Sequence, residues 1–396
     1  LTAMREAGRL APIEPPVNRL AGAWQALVQG EAPDLISGAY GQFRNQEQPC
    51  ALDAQTDVPA IQAWLDSLTN PQTREAYRKE MIRVVLWATT VRARAFSDLT
   101  VEDAALYRTF LKDPQPHQEW VGARRPLNHP QWRPFAQSLS PSSQRYALQV
   151  IRTCARWLRE QNYLTANPWA AIKADGAVNE QPTAGQVPSR SHWGLVRRLA
   201  DRLETHGWEE ASANRLRFLL DFGRATGLRV SELAQLRLGH LYEQEAGEWM
   251  LRVAGKGGKT ESIDLLPPAK HALETYLRQR GLSALIENND ETIPVISQLA
   301  NPYAALGRKA IWRIVDRFRK LASDELATVN KRLSKQLETM SPHTLRHLCG
   351  SHTLNAGAQL TDVRDFLRHA NIRTTSRYVH SDERQRRKRL TDALGN

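Results

Sequence analysis

The stretch SPHTLRHLCGSHTL, from Ser341 to Leu354, holds three histidines and one arginine. Ser341 and Pro342 read as the N-cap and first turn of a helix, and Gly357 as its terminator. On that helix His343, Arg346 and His347 share one face at i, i+3 and i+4, while Leu345, Leu348 and His352 point elsewhere. Three readings fit. His343 and His347 could pin a metal, although the glutamate of HExxH is missing and no nearby Cys or carboxylate is an obvious third ligand. The helix could be purely structural. Or it could form an anion site, with the planar arginine fork matching two phosphate oxygens and histidine donating or shuttling a proton. The partial positive charge of the helix N-terminus would add to that site.

Other segments supply partners for the third reading. ATGLRVSEL places Arg229 just after a tight turn at Gly227, and AGKGGKT puts Lys256 and Lys259 at a hairpin tip. LRHANIRTTSRYVH carries His369 upstream of Tyr378. Singly, each has an ordinary explanation: an ion pair, a solvated turn lysine, a helix-end histidine, a half-buried ring. Together and in this order they form a set.

That set resembles the tyrosine recombinases, the phage integrase family, whose order is Arg, Lys, His-x-x-Arg, His, then Tyr. The resemblance is strongest from Val187 to Asp382. Asp53 to Trp169, closing on YLTANPW, is similar to the family's helical core-binding domain, and residues 1–50 are not covered. The family pattern has glycine before the second histidine. Here Arg368 stands there, a departure that bears on the backbone beside His369.

The resemblance implies chemistry for each residue. Tyr378 would attack the scissile phosphorus, forming a 3′-phosphotyrosyl link and releasing a 5′-hydroxyl. Arg229 and Arg346 would hold the non-bridging oxygens, and His369 would add a donor. His343 would assist proton transfer at the tyrosine, and Lys256 would protonate the leaving oxygen. It implies no metal and no cofactor. The implied partners are double-stranded DNA, clamped by two domains, and three further copies of the chain in a synaptic tetramer.

The positioning elements are then expected as follows. The fold is mainly α, with a small antiparallel β-hairpin in the catalytic domain. Residues 1–52 form an N-terminal extension, 53–172 a helical core-binding domain, 173–188 a linker and 189–396 the catalytic domain. Asn70-Pro71 opens a long helix. Trp249, Leu251 and Val253 alternate before the glycine-rich turn, and Ser262 to Leu265 returns from it. In SPSSQRYALQVIRTCARWLRE, Ala147, Val150, Ile151, Cys154 and Leu158 form one face, and Arg145, Arg152, Arg156 and Arg159 the other. Between these helices lies a Pro/Trp-rich stretch, 113–141, with Arg124 and Arg125, which is read equally as a DNA or subunit contact or as a mobile insertion.

Composition agrees with a polyanionic partner. Lys and Arg number 54 against 42 Asp and Glu, a formal net charge of +12. Candidate phosphate contacts are Arg74, Arg78, Arg124, Arg125, Arg145, Arg152 and Arg156. Three scattered cysteines make neither a disulfide framework nor a zinc pattern, which suits a reducing cytoplasm such as a bacterial one. No apolar run is long enough to span a membrane. Because the sequence starts at Leu1, its beginning says nothing about a leader. Two other readings compete. A metal-dependent nuclease would use His343, His347 and His352. A non-catalytic DNA-binding accessory protein would explain the charge and leave the six-residue set unexplained. A type IB topoisomerase fits the linker-joined helical domain less well.

Overall fold

The computed structural model describes residues 18–172, 187–255 and 260–369, with Ile372, Thr375 and Thr391. The chain divides into two compact units, residues 1–178 and 179–396.

The first unit is helical among its described residues. It contains α1 (Arg19–Gln29), α2 (Asp34–Ser37), α3 (Asp57–Asp66), α4 (Pro71–Val91), α5 (Val101–Lys112), α6 (His117–Trp120) and α7 (Pro141–Glu160). Asn70 caps α4 by accepting the backbone N–H groups of Gln72 and Thr73, and Pro71 occupies the first turn where no N–H is needed. In α7 the face Ala147, Val150, Ile151, Cys154 and Leu158 is buried. Each of its large aliphatic side chains contributes roughly 1.5–3 kcal/mol by leaving water.

From Asn18 onward, the segment expected to be an N-terminal extension packs into this unit. Leu20 and Leu27 of α1 join the core formed by α3, α4 and α7. Asp57, at the start of α3, is the polar centre of that packing. Its carboxylate accepts the Ser97 N–H at 2.8 Å, the Ser97 hydroxyl at 3.0 Å and the Tyr163 hydroxyl at 3.0 Å. The Arg44 guanidinium lies 3.7 Å from the centre of the Tyr163 ring. Burial pushes the Asp57 carboxyl up to about 6, against the hydrogen bonds that favour its ionised form.

The Pro/Trp-rich stretch is anchored at both ends. Trp120 and Phe135 are fully buried; the Phe135 N–H donates to the Trp120 carbonyl and the Gly122 N–H to the Phe135 carbonyl across the stretch. The buried Glu80–Arg83 pair, 2.9 Å apart, turns Arg83 Nε onto the Pro134 carbonyl at 3.0 Å. Between these anchors Arg124 and Arg125 are exposed.

The second unit holds α8 (Arg190–Ala200), α9 (Glu210–Thr226), α10 (Val230–Gln235), the strands β1 (Leu241–Glu243), β2 (Trp249–Ala254) and β3 (Thr260–Asp264), and then α11 (Pro267–Gln279), α12 (Arg308–Ala327), α13 (Lys331–Leu337), α14 (Pro342–Leu354) and α15 (Leu360–Phe366). The fold is mainly α with one small antiparallel sheet, in the order β1-β2-β3. The alternation in β2 points Trp249, Leu251 and Val253 inward, and pairing with β3 runs from Met250–Asp264 to Ala254–Thr260. Strand β1 is too short to announce itself by periodicity. Helix α9 is buried on two sides. Phe218, Leu219 and Phe222 pack with the sheet and α11, and Leu216 and Leu220 pack with α8, α12 and α14. The sheet and α14 therefore pack against one helix, α9, from different sides.

Candidate active site

Helix α9 ends at Gly227, whose φ of +59° belongs to the left-handed region. A Cβ there would lie 2.4 Å from Leu367 Cδ2 and 3.1 Å from Cys349 Sγ, so only glycine fits both the turn and the space. The turn makes Arg229 the N-cap residue of α10. Its N–H donates to Glu232 Oε2 at 2.7 Å, and its Nη1 donates to Glu232 Oε1 at 2.7 Å. The Arg229 side chain is 43% exposed, whereas that of Glu232 is only 6% exposed.

Helix α14 starts at Ser341 with Pro342 in its first turn, and the Ser341 N–H donates to Thr344 Oγ1 at 2.9 Å. His343 is exposed, and its ring meets that of His347 edge-on with centroids 4.5 Å apart. Arg346 is the buried member of this face, at 1% exposure. Its Nη1 donates to the Gly227 carbonyl at 2.6 Å and its Nη2 to the Leu367 carbonyl. One guanidinium thus joins the turn that presents Arg229 to the turn that presents His369.

That second turn closes α15. The Arg368 N–H donates to the Asp365 carbonyl at 2.9 Å and the His369 N–H to the Arg364 carbonyl at 3.0 Å, a Schellman motif. Arg368 occupies its left-handed position, with φ +53°. This is the conformation glycine adopts freely, and it accounts for the departure noted in the sequence. The backbone keeps the turn, and an arginine carries it. His369 Nδ1 lies 2.8 Å from the hydroxyl of the buried Thr375.

His352 does not join His343 and His347. It points to the opposite side of α14, with Nε2 3.0 Å from the Pro188 carbonyl, and burial lowers its pKa. The three-histidine metal set of the nuclease reading is therefore not assembled, because i+9 from His343 falls on another face of the helix. Lys256, Lys259 and Tyr378 lie outside the described residues.

Residues 195–385 match the phage integrase family. The chain is 30% identical over 268 residues to tyrosine recombinase XerD of Brucella suis biovar 1, covering 65% of this chain and 77% of that protein. The chain belongs to the phage integrase family of tyrosine recombinases.

Tyrosine recombinase XerC of Pseudomonas syringae pv. tomato is 26% identical over 318 residues, covering 79% of this recombinase and 86% of its relative. Among solved structures, XerH site-specific recombinase in a post-cleavage complex with palindromic difH substrate has a TM-score of 0.55 at 15% identity, covering 95% and 94% of the two chains. A lambda integrase dimer bound to a COC′ core site has a TM-score of 0.52 at 14% identity, covering 83% and 96%. These two likenesses carry the fold.

The other basic candidates of the recombinase lie in its first unit. Arg74 donates to the Leu68 carbonyl at 2.8 Å and sits 3.8 Å from Asp66. Arg78 and Arg145 are half-buried, and Arg156 is exposed, 3.8 Å from Glu160. Arg152 differs from the expected outward stripe. Its guanidinium turns along the helix to the carbonyls of Trp169, at 3.1 Å, and Ile172. The Trp169 carbonyl, within the short turn at Pro168–Ala170, also accepts backbone N–H groups from the residues that follow, and Arg152 adds a side-chain donor to it and to the Ile172 carbonyl. Sequence reasoning missed Glu232 and Thr375. Glu232 had a signal in its spacing, three residues after an N-cap position. Thr375 had none.

Proposed function

We propose that this recombinase cleaves and rejoins double-stranded DNA at specific sites through a covalent 3′-phosphotyrosyl intermediate on Tyr378, without metal or nucleotide. The observation that carries the reading is the convergence of Arg229, Arg346 and His369 on two turns joined by the Arg346 guanidinium. Such a cluster of fixed cationic donors suits a pentavalent phosphorane, whose charge concentrates on the non-bridging oxygens. Arg229, at the exposed edge, engages those oxygens. Arg346 holds both turns and contributes its charge from behind, and His369 donates a further hydrogen bond. His343 takes the tyrosine proton, and Lys256 protonates the leaving 5′ oxygen. Attack of a partner duplex's 5′-hydroxyl on the phosphotyrosine completes strand exchange. Arg78, Arg124, Arg125, Arg145 and Arg156 supply phosphate contacts, and four copies assemble on two duplexes. Three free cysteines and the DNA substrate suit a cytoplasmic setting.

The test is covalent trapping. Nicked duplexes tiled across the DNA flanking the gene are incubated with the protein in excess EDTA, and adducts are resolved under denaturing conditions. Wild type should form adducts. Tyr378→Phe should form none while retaining DNA affinity within about threefold, because affinity comes from many phosphate contacts. Equal adducts from both proteins would remove Tyr378 from the mechanism.

A further inference from the structure

The Glu232 carboxylate is an awkward neighbour for a phosphate. It is 6% exposed, and it holds the guanidinium of Arg229 at 2.7 Å. For Arg229 to turn towards a phosphate it must release Glu232 Oε1. A buried carboxylate stripped of its counter-ion is costly and would repel the incoming anion.

Arg368 meets this difficulty. Its side chain is as buried as that of Glu232, and its Nη2 donates to Glu232 Oε2 at 2.7 Å. Its Nε lies 3.5 Å from Glu261 of β3. Its Nη1 is buried and has no hydrogen-bond acceptor among the described residues. A donor left unsatisfied beside a carboxylate that is about to lose one is a donor in reserve. Arg368 also stands where its backbone conformation is unfavourable for any side chain, at a cost of about 1–2 kcal/mol. Something in the side chain must offset that, and among the described residues the Glu232 contact is its shortest ion pair.

We propose that Arg368 is a positioning residue that serves as the standing counter-ion of Glu232, freeing Arg229 to exchange its carboxylate for the scissile phosphate. The unused Nη1 of Arg368 takes up Glu232 Oε1 as Arg229 leaves. This inference rests on the reading of Arg229 as a phosphate ligand.

Glycine is the diagnostic substitution, because a purely conformational role predicts that it helps. If Arg368 only fills the turn, Arg368→Gly relieves the left-handed strain and should cleave at least as fast as wild type, with equal or higher thermal stability. If Arg368 is the counter-ion, Arg368→Gly should keep its melting temperature and DNA affinity yet lose at least tenfold in the single-turnover rate of covalent adduct formation. Arg368→Lys, which keeps the charge, should recover part of that loss. Adding Glu232→Gln to Arg368→Gly should also raise the rate above that of Arg368→Gly alone, since the unpaired carboxylate is then gone. The substrate is the duplex that wild type traps from the tiled pool. Wild-type rates from Arg368→Gly, or a double variant slower than the single one, would overturn the proposal. Failure of wild type to form any adduct would instead overturn the reading of the site as a recombinase centre.

Discussion

Arg346 and Gly227, 119 positions apart, are joined by a 2.6 Å hydrogen bond from a buried guanidinium to the carbonyl that ends α9. The second arm of the same guanidinium reaches Leu367. A lysine has one ammonium at the end of a flexible stem and cannot occupy both carbonyls with the planar geometry of arginine. Arg346→Lys should therefore destabilise the second unit by about 2–3 kcal/mol and lower adduct formation by roughly a hundredfold or more. Gly227→Ala attacks the same joint from the other side, through its positive φ and the Leu367 contact, and should cost about 2–4 kcal/mol. Urea denaturation followed by fluorescence of Trp193, Trp208 and Trp249 measures both. Wild-type midpoints for both variants would dissolve the joint.

The buried Asp57 gives the first unit a pH dependence of definite sign. Its carboxyl is raised from 3.8 to about 6 in the folded state, so the folded protein binds the proton more tightly than the unfolded chain. Its contribution is fully present below about pH 4 and is lost as pH rises through about 6. The whole swing is about 3 kcal/mol. Asp57→Asn should remove that slope while the opposite slopes of paired carboxylates, such as Asp103 between Arg92 and Arg94, remain. Hydrogen exchange of α3 and α7 peptides at pH 5 and 7, corrected for intrinsic rates, reads the difference. Identical pH profiles for the two proteins would contradict the assignment.

Arg152 and Arg156 lie one turn apart on α7, yet they should fail differently when replaced by alanine. Arg156→Ala should leave stability within about 0.5 kcal/mol and make the log–log salt dependence of DNA binding shallower by about 0.9. Arg152→Ala should cost about 1–3 kcal/mol, by removing the arginine donors of the Ile172 and Trp169 carbonyls, and leave the salt slope unchanged. The pattern reversed between the two would mean that the geometry of Arg152 changes on DNA.

Lys256, rather than Lys259, is expected to protonate the leaving oxygen. Loss of that proton should slow cleavage roughly a hundred- to ten-thousandfold. A bridging 5′-phosphorothioate, whose thiolate leaves unprotonated, should restore Lys256→Ala and not Arg229→Ala. Rescue confined to Lys259→Ala would transfer the role to the second lysine.

Much of the site was legible because its residues sit at element boundaries, where sequence signals are strongest. Gly227 ends a helix, Ser341-Pro342 opens one, and the alternation of Trp249, Leu251 and Val253 marks a strand. The buried face of α7 followed from periodicity. What escaped were pairings between distant segments. Glu232 with Arg368, Arg152 with Ile172 and Asp57 with Tyr163 depend on which carbonyl or carboxylate the fold leaves in need of a partner. No local spacing encodes that need. The role of the N-terminal segment was not legible because its few apolar residues, Leu20 and Leu27 among them, show their purpose only against the core they complete.

The Pro/Trp-rich stretch has a practical consequence. Trp120 at one end and Phe135 at the other are clamped into the core, and Arg83 locks the second clamp through Pro134. The residues from Ala123 to Leu127 project from this frame into solvent. Length added there is absorbed without disturbing the clamps. The segment is thus a built-in graft point: a peptide tag or a foreign binding loop placed after Arg125 should leave the unit folded.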